Sequence, residues 1–83
     1  MTIKEKFKSG KRVRIKSSVS LSSYNMWLKL KDYYPSLKRP CHLKSDGILE
    51  VLDIIFQKYI LVKTLDDDFA ISVFDSKDLE ILN

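Results

Sequence analysis

Cys41 and His42 are the only thiol and the only imidazole in the chain, and they are adjacent. A cysteine nucleophile needs its base within hydrogen-bonding reach, whereas adjacent residues of an extended segment point to opposite sides. A zinc site needs further Cys or His ligands, which this sequence does not contain. A loop position with incidental packing is therefore the favoured interpretation of this pair.

Three consecutive aspartates, at positions 66–68, could hold a magnesium or calcium ion, because these cations prefer oxygen ligands. Neither EF-hand spacing nor a phosphate-binding glycine loop accompanies them. The segments on either side have strand character, so a solvated hairpin turn is favoured. Carboxylate pairs also perform acid–base catalysis, but the sequence indicates no pocket that would raise a carboxyl pKa. We therefore expect no metal, no cofactor and no enzymatic activity.

The strongest functional signal is the distribution of charge. Residues 1–44 hold 12 basic and 2 acidic residues, whereas residues 45–83 hold 3 basic and 9 acidic ones. Basic arrays bind phosphate backbones through charge neutralisation and counterion release. Two alternatives stay open: the basic strand face is merely solvated, or the two halves neutralise each other within one fold. The predicted nucleic-acid-binding residues are Lys8, Lys11, Arg12, Arg14, Lys16, Lys38, Arg39, Tyr33 and Tyr34.

Aromatic residues in the same half of the chain bear on the kind of nucleic acid. Tyr24, Trp27, Tyr33 and Tyr34 could stack on unpaired bases, which favours RNA or single strands over a duplex. Core packing is the alternative, and it is favoured for Trp27, which lies within the apolar arc of a predicted helix. Tyr33 lies at the edge of that arc and is the better stacking candidate.

The elements that must position these side chains are mainly strands. Apolar and basic residues alternate over residues 12–16, and this period of two predicts a half-buried strand with a basic outer face. Four more strands are predicted at 48–56, 59–65, 69–74 and 79–82. The β-branched content and length of the segment 48–56 favour a strand buried on much of both faces. Residues 76–78 predict a turn before the last strand.

Residues 17–46 are predicted to hold a helix and then a basic loop. Ser22 or Ser23 is expected to cap a helix that runs through Tyr33 and is ended by Pro35. The apolar residues of this helix share one broad arc at about 100° per residue, which predicts an amphipathic helix covering an open end of a small barrel. The residues of that arc are Leu21, Tyr24, Trp27, Leu28, Leu30 and Tyr34.

The order of these patterns resembles a known family. Gly10 leads the first strand, Gly47-Ile48 opens the second, residues 60–63 precede an acidic turn, and residues 77–82 end the chain. This resembles the small SH3-like barrels of the KOW and Tudor-like type, including small bacterial and phage proteins. Such barrels begin with a glycine-led strand and finish with a one-turn helix leading into a closing strand. The resemblance covers roughly two thirds of the chain and supports the fold more than the function.

Composition limits the remaining choices. With 83 residues the chain forms one domain, 1–83, and 45% hydrophobic with 31% charged residues exclude a disordered chain. A domain of this size buries only about 60% of its unfolded surface, which argues against a deep cavity. The sequence has no apolar stretch of signal-peptide or membrane-span length, and its single cysteine cannot form an internal disulfide. We therefore expect a cytoplasmic protein without membrane contact.

Together these patterns predict a mainly β fold with one inserted helix: a five-stranded SH3-like barrel, with the helix between strands 1 and 2 and the insertion at about 17–46. The predicted function is non-catalytic nucleic-acid binding, RNA favoured, by a small regulatory protein. The alternative is a protein-interaction module, such as a phage-encoded inhibitor or antitoxin-like protein acting on a host protein. That host protein could itself be a ribonuclease or another nucleic-acid-bound target.

Overall fold

The fold is a five-stranded antiparallel sheet with one longer helix between its first two strands. It is seen in a computed structural model that describes residues 2–16, 18–40, 47–65 and 70–82. Across the sheet the strand order is β4-β3-β2-β1-β5, with every neighbouring pair antiparallel. In chain order the elements are α1 (Ile3–Lys6), β1 (Arg12–Ile15), α2 (Leu21–Leu30), β2 (Leu49–Ile55), β3 (Tyr59–Thr64), β4 (Ile71–Asp75), a 3-10 helix (Ser76–Asp78) and β5 (Leu79–Leu82).

The mainly β class, the five strands and the place of the helix in the chain are confirmed. The five strands form one open sheet, because no ladder joins the edge strands β4 and β5 in the part of the chain that the structure describes. The predicted turn at 76–78 is the 3-10 helix Ser76–Asp78, which leads directly into β5. The first strand also alternates as predicted, with Val13 and Ile15 buried and Arg12 and Arg14 exposed.

The main hydrophobic core, which we call core 1, draws on every strand. Phe7, which directly follows α1, joins it, and Ile3 packs against it. These two residues fasten the N-terminal segment to the sheet. The buried residues of core 1 are Phe7, Val13, Ile15, Leu49, Val51, Ile60, Val62, Phe74 and Leu79.

A second core, core 2, lies between α2 and the strand pair β3–β4. Met26 and Trp27 of α2 form it together with Leu37 and Val73. Along β3, Ile60 belongs to core 1 and its neighbour Leu61 packs against core 2, so the two cores lie on opposite faces of the sheet. The prediction that the helix covers an open end is therefore wrong, since α2 covers a sheet face.

The position of α2 also corrects the prediction of which strand is buried on both faces. In β4 four of five residues are buried, whereas β2, the strand predicted to be doubly buried, exposes Asp53. The sequence patterns of the two strands are similar. The difference arises because α2 packs over β3 and β4 and leaves β2 uncovered.

The ends and the buried face of α2 differ from the prediction. The helix begins at Leu21 with Ser20 as N-cap residue, so neither Ser22 nor Ser23 caps it, and it ends at Leu30. Ser23 and Met26 face inward. Leu21 and Leu28, both predicted to be buried, are 72% and 40% exposed. The helix turns its serine-bearing face inward because two buried aspartates bind these serines, as described below.

Two local features outside the prediction shape the end of the molecule near the N-terminus. The short helix α1 has Thr2 as its N-cap residue, and the Thr2 hydroxyl accepts a 3.2 Å hydrogen bond from the amide of Glu5. The Thr-x-x-Glu pattern is the sequence signature of a capping box, although here the Glu5 carboxylate accepts from the Thr2 hydroxyl at 3.2 Å. The β2–β3 turn places Phe56 and Gln57 at φ of 52° and 58°, in the left-handed region that bulky residues seldom adopt.

Candidate nucleic-acid interface

Gly10 positions the basic N-terminal segment against the sheet. Its φ of 91° is accessible to glycine and strained for residues with a Cβ. The Gly10 amide donates to the Val51 carbonyl at 2.8 Å, and the Val51 amide donates to the Lys11 carbonyl at 2.8 Å. Lys8 and Lys11 are thereby held beside β2, immediately before the exposed basic face of β1.

The basic residues of this segment are exposed and largely without counter-charges. Arg14 is the exception, since its Nε lies 2.6 Å from Glu80 Oε1 on the neighbouring strand β5. The others form no ion pair with any residue that the structure describes. We call these the N-terminal cations: Lys4, Lys6, Lys8, Lys11, Arg12 and Lys16.

The acidic residues of the second half contact other groups. Glu50 lies opposite Arg12 in the β1–β2 register, yet its carboxylate pairs with Lys63 Nζ at 3.4 Å. Asp75 is buried and pairs with Lys58 at 3.4 Å. Within the described ranges, therefore, Arg14–Glu80 is the one ion pair that joins the two oppositely charged halves, so their neutralisation is partial, and Arg12 keeps no ion pair on the outer face of β1.

A second group of cations lies around Trp27, which packs on β3 and β4 and is separated from β1 in the strand order. The guanidinium of Arg39 lies 5.1 Å from the centre of the Trp27 ring, and Lys31 Nζ lies 5.8 Å from it. Both distances are within the range of a cation–π interaction. The indole donates a 3.1 Å hydrogen bond to the Leu37 carbonyl. Trp27 is buried, which confirms the core-packing interpretation for this residue.

Arg39 belongs to this second group, and its neighbour Lys38 lies beside β4 and not on the face of β1. The Lys38 amide donates to the Ile71 carbonyl at 2.7 Å, which fixes the chain along the edge of β4. Strands β3 and β2 lie between β4 and β1 in the sheet. Tyr33 and Tyr34 lie in the segment that follows α2 and are 80% and 48% exposed. The structure therefore divides the predicted site residues into two groups.

A buried polar cluster joins the N-terminus of α2 to the end of β4. Asp78 Oδ2 accepts hydrogen bonds from the Ser20 amide, from the Ser20 hydroxyl at 2.7 Å and from the Ser23 hydroxyl at 2.6 Å. Ser22 donates to Asp75 at 2.8 Å. The sequence analysis did not predict this cluster, because its partners are more than 50 residues apart. The serine-rich stretch at 17–23 was the only sequence signal for it.

The carboxyl group of Asp75 is held in its charged form. Burial alone would raise its pKa, but the Lys77 amide, the Ser22 hydroxyl and the Lys58 ammonium together outweigh that effect, and the pKa lies below its ordinary value of 3.8. In return, the hydrogen bond and charge of Asp75 raise the pKa of Lys58. A protonated lysine is no general base, so this pairing of Ser22, Asp75 and Lys58 stabilises the fold and offers no nucleophile.

The remaining chemical candidates lie elsewhere in the chain. Among the described residues no three His, Cys, Asp or Glu side chains are grouped to hold a metal ion. The pair Cys41 and His42, the basic residue Lys44 and the aspartates at 66–68 lie outside the described residues. No helix in the described ranges is long and apolar enough to span a membrane.

Comparisons with protein-family models, with curated proteins and with solved structures found no match to this chain.

Proposed function

We propose that the protein is a non-catalytic nucleic-acid-binding protein, with RNA as the favoured ligand. One observation carries this proposal: the six N-terminal cations are exposed and have no described counter-charge. Charge in this arrangement attracts a polyanion, and each neutralised phosphate releases condensed counterions. The favourable term is therefore electrostatic and independent of sequence.

The positions of these side chains indicate how a nucleic-acid strand would lie on this surface. Arg12 lies on the exposed face of β1, Lys16 follows the strand directly, and Lys8 and Lys11 precede it on the turn at Gly10. These side chains would contact successive phosphates along one direction. Tyr33 and Tyr34, in the group beside β4, are accessible for stacking on unpaired bases. A flexible single strand is the ligand that can reach both groups, which favours RNA over a stiff duplex.

For the fold we propose an SH3-like barrel of the KOW and Tudor-like type. The strand order β4-β3-β2-β1-β5 and the 3-10 helix between β4 and β5 support this assignment. The long insertion that contains α2 separates this chain from a typical member. Because α2 packs on β3 and β4, this helix does not cover the faces of β1 and β5 that look away from core 1.

The proposal is tested by fluorescence anisotropy with a labelled single-stranded RNA of mixed sequence at several salt concentrations. The test variant is Lys11→Glu/Arg12→Glu, which leaves the Arg14–Glu80 ion pair intact. The control is Lys29→Glu/Lys77→Glu, two exposed lysines that do not belong to the N-terminal cations. Both double substitutions lower the formal net charge from +4 to 0, so they separate local contacts from overall charge.

We expect the wild type to bind RNA with an affinity that falls steeply with salt. The test variant should bind more weakly, with a salt slope that is reduced by about 0.7 for each phosphate that the variant no longer neutralises. The control should keep most of its affinity. Equal weakening in both variants, or no RNA binding by the wild type at low salt, would refute the proposal.

A second candidate function, a protein-interaction module, has one specific observation in its favour. Leu21 and Leu28 are exposed on α2, and a spacing of seven residues places them on the same side of the helix. Exposed apolar side chains in this arrangement are typical of a contact surface. A tagged pull-down treated with nuclease distinguishes the two functions. A protein partner that persists after nuclease and disappears with Leu21→Ser/Leu28→Ser would favour the interaction module.

A further inference from the structure

An open groove of about 750 Å³ lies between the N-terminal segment and the β2–β3 hairpin. Its apolar lining includes Phe7, which belongs to core 1, and Ile3 and Ile54, which pack against that core. The volume lies within the range of small-ligand sites, about 300–1,000 Å³. The groove is therefore large enough for part of a nucleotide chain.

Phe56 stands in this lining and is unusual in two ways. Its side chain is 74% exposed and belongs to neither core. Its φ of 52° lies in the left-handed region, where a bulky residue is strained and where Asn, Asp or Gly is preferred at a central position of a β-turn. Neither packing nor turn geometry explains a phenylalanine at this position. Strain at an exposed aromatic residue is typical of a functional contact.

The charges around the groove point to an anionic ligand. Lys4 and Lys8, two of the N-terminal cations, line it. Asp53 also lines it, and its Oδ1 accepts a 2.8 Å hydrogen bond from the Ile54 amide. A carboxylate only accepts hydrogen bonds, so Asp53 suits the N–H groups of a base edge, whereas the lysines suit phosphates. The groove thus combines an aromatic surface, cations and one acceptor.

We propose that this groove holds an unpaired base of a single-stranded nucleic acid, stacked on Phe56 with the adjoining phosphates at Lys4 and Lys8. The inference rests on the proposed function and adds a contact region to the two groups described above. Single strands are preferred at this groove, since a base within a duplex cannot present its face to Phe56. Aromatic stacking of this kind tolerates every base, because each has a π face.

The test compares Phe56→Asn with Phe56→Trp in the full chain. Asparagine removes the ring and suits the positive φ of the turn, so the variant is expected to fold at least as well as the wild type. Tryptophan keeps an aromatic surface. Three ligands are measured by anisotropy: a single-stranded RNA 10-mer, the matched duplex, and a 10-mer of the same backbone in which the bases are replaced by abasic sites.

We expect Phe56→Asn to bind the single strand at least about fivefold more weakly, while Phe56→Trp keeps wild-type affinity. Duplex and abasic ligands should bind both variants as they bind the wild type. Unchanged single-strand affinity of Phe56→Asn, in a wild-type protein that does bind RNA, would overturn the groove and leave the proposed function standing. A wild type that binds none of the three ligands at low salt would overturn both.

Discussion

The Ser23 hydroxyl donates a 2.6 Å hydrogen bond to Asp78 Oδ2, and this contact joins residues that are 55 positions apart. The same oxygen accepts the amide and the hydroxyl of Ser20, the N-cap residue of α2. A carboxylate at a helix N-terminus is also favoured by the helix dipole. Asp78 therefore fastens the start of the inserted helix to the connection between β4 and β5.

Replacing Asp78 by alanine should destabilise the protein by roughly 2–4 kcal/mol. The substitution leaves three donors of Ser20 and Ser23 without their acceptor in a site where Asp78 is only 6% exposed. A buried donor that loses its acceptor costs about 1–3 kcal/mol. Urea denaturation followed by circular dichroism measures the change. Asp32→Ala, at an exposed position just after α2, serves as the control and should change stability by less than about 0.5 kcal/mol.

If Asp78→Ala and Asp32→Ala unfolded at the same urea concentration, the hydrogen bonds of Asp78 to Ser20 and Ser23 would not contribute to stability. A second outcome distinguishes a local effect from a global one. If only the near-ultraviolet circular dichroism of Trp27 changed and the far-ultraviolet signal of the sheet did not, α2 would detach while the sheet stays folded. The structure predicts that both signals disappear together, because Val73 of β4 belongs to the same core as Trp27.

Acid should remove a part of the stability that depends on Asp75. The folded-state pKa of Asp75 lies below its ordinary value of 3.8, so on acidification the unfolded state takes up this proton first. The stabilisation is thus complete above about pH 5 and is lost as the pH falls through the lowered pKa. Asp75→Asn should be less stable than the wild type at pH 7, by roughly 1–2 kcal/mol, and should show a shallower loss between pH 5 and pH 2.

The matched control for this pH dependence is Lys58→Met, which removes the ammonium but keeps the Ser22 and Lys77 hydrogen bonds to Asp75. The raised pKa of Lys58 adds stability below its ordinary value of 10.5 that is lost as the pH rises through the folded-state value. Lys58→Met should therefore lose the alkaline part of the pH profile and retain most of the acid part. Parallel acid profiles for wild type and Asp75→Asn would contradict the assignment.

The strands were predictable from the sequence because their pattern is local. The buried face of α2 was not, because residues distant in sequence determine it. The alternation around Val13 requires only neighbouring residues, and the structure reproduces it. The inward face of α2 is set by Asp75 and Asp78, which lie in another element, so helical periodicity alone wrongly buried Leu28. In the candidate site, the exposed cations of β1 followed from this alternation.

Other parts of the site depend on tertiary placement that no sequence pattern records. Lys38 and Arg39 were predicted to share one nucleic-acid site with the basic residues of β1, but the Lys38 amide binds the Ile71 carbonyl at the edge of β4. Phe56 was predicted as the end of a strand. Its place in a turn follows from the pairing of Ile55 with Tyr59, which leaves three residues for the reversal of the chain.

Gly10 provides a test of backbone strain without steric interference. A Cβ at this position would meet no atom within 4 Å, so any cost comes from the φ of 91°. Gly10→Val should destabilise the protein by about 1–2 kcal/mol, because β-branched residues are strongly disfavoured there. Gly10→Asn should cost less, since asparagine tolerates positive φ. Thermal unfolding of the two variants gives the comparison, and equal destabilisation would show that strain is not the cause.

The turn at Phe56 and Gln57 should separate stability from binding. Replacing the pair by Asn-Gly introduces the sequence preferred where both central residues have positive φ. The double variant should gain about 1 kcal/mol of stability in urea, because relieving left-handed strain outweighs the added backbone entropy of glycine. Gln57→Gly alone retains the aromatic ring and should gain part of that stability without weakening RNA binding. If the double variant were more stable and also bound RNA as well as the wild type, the strain at Phe56 would serve no contact with the ligand.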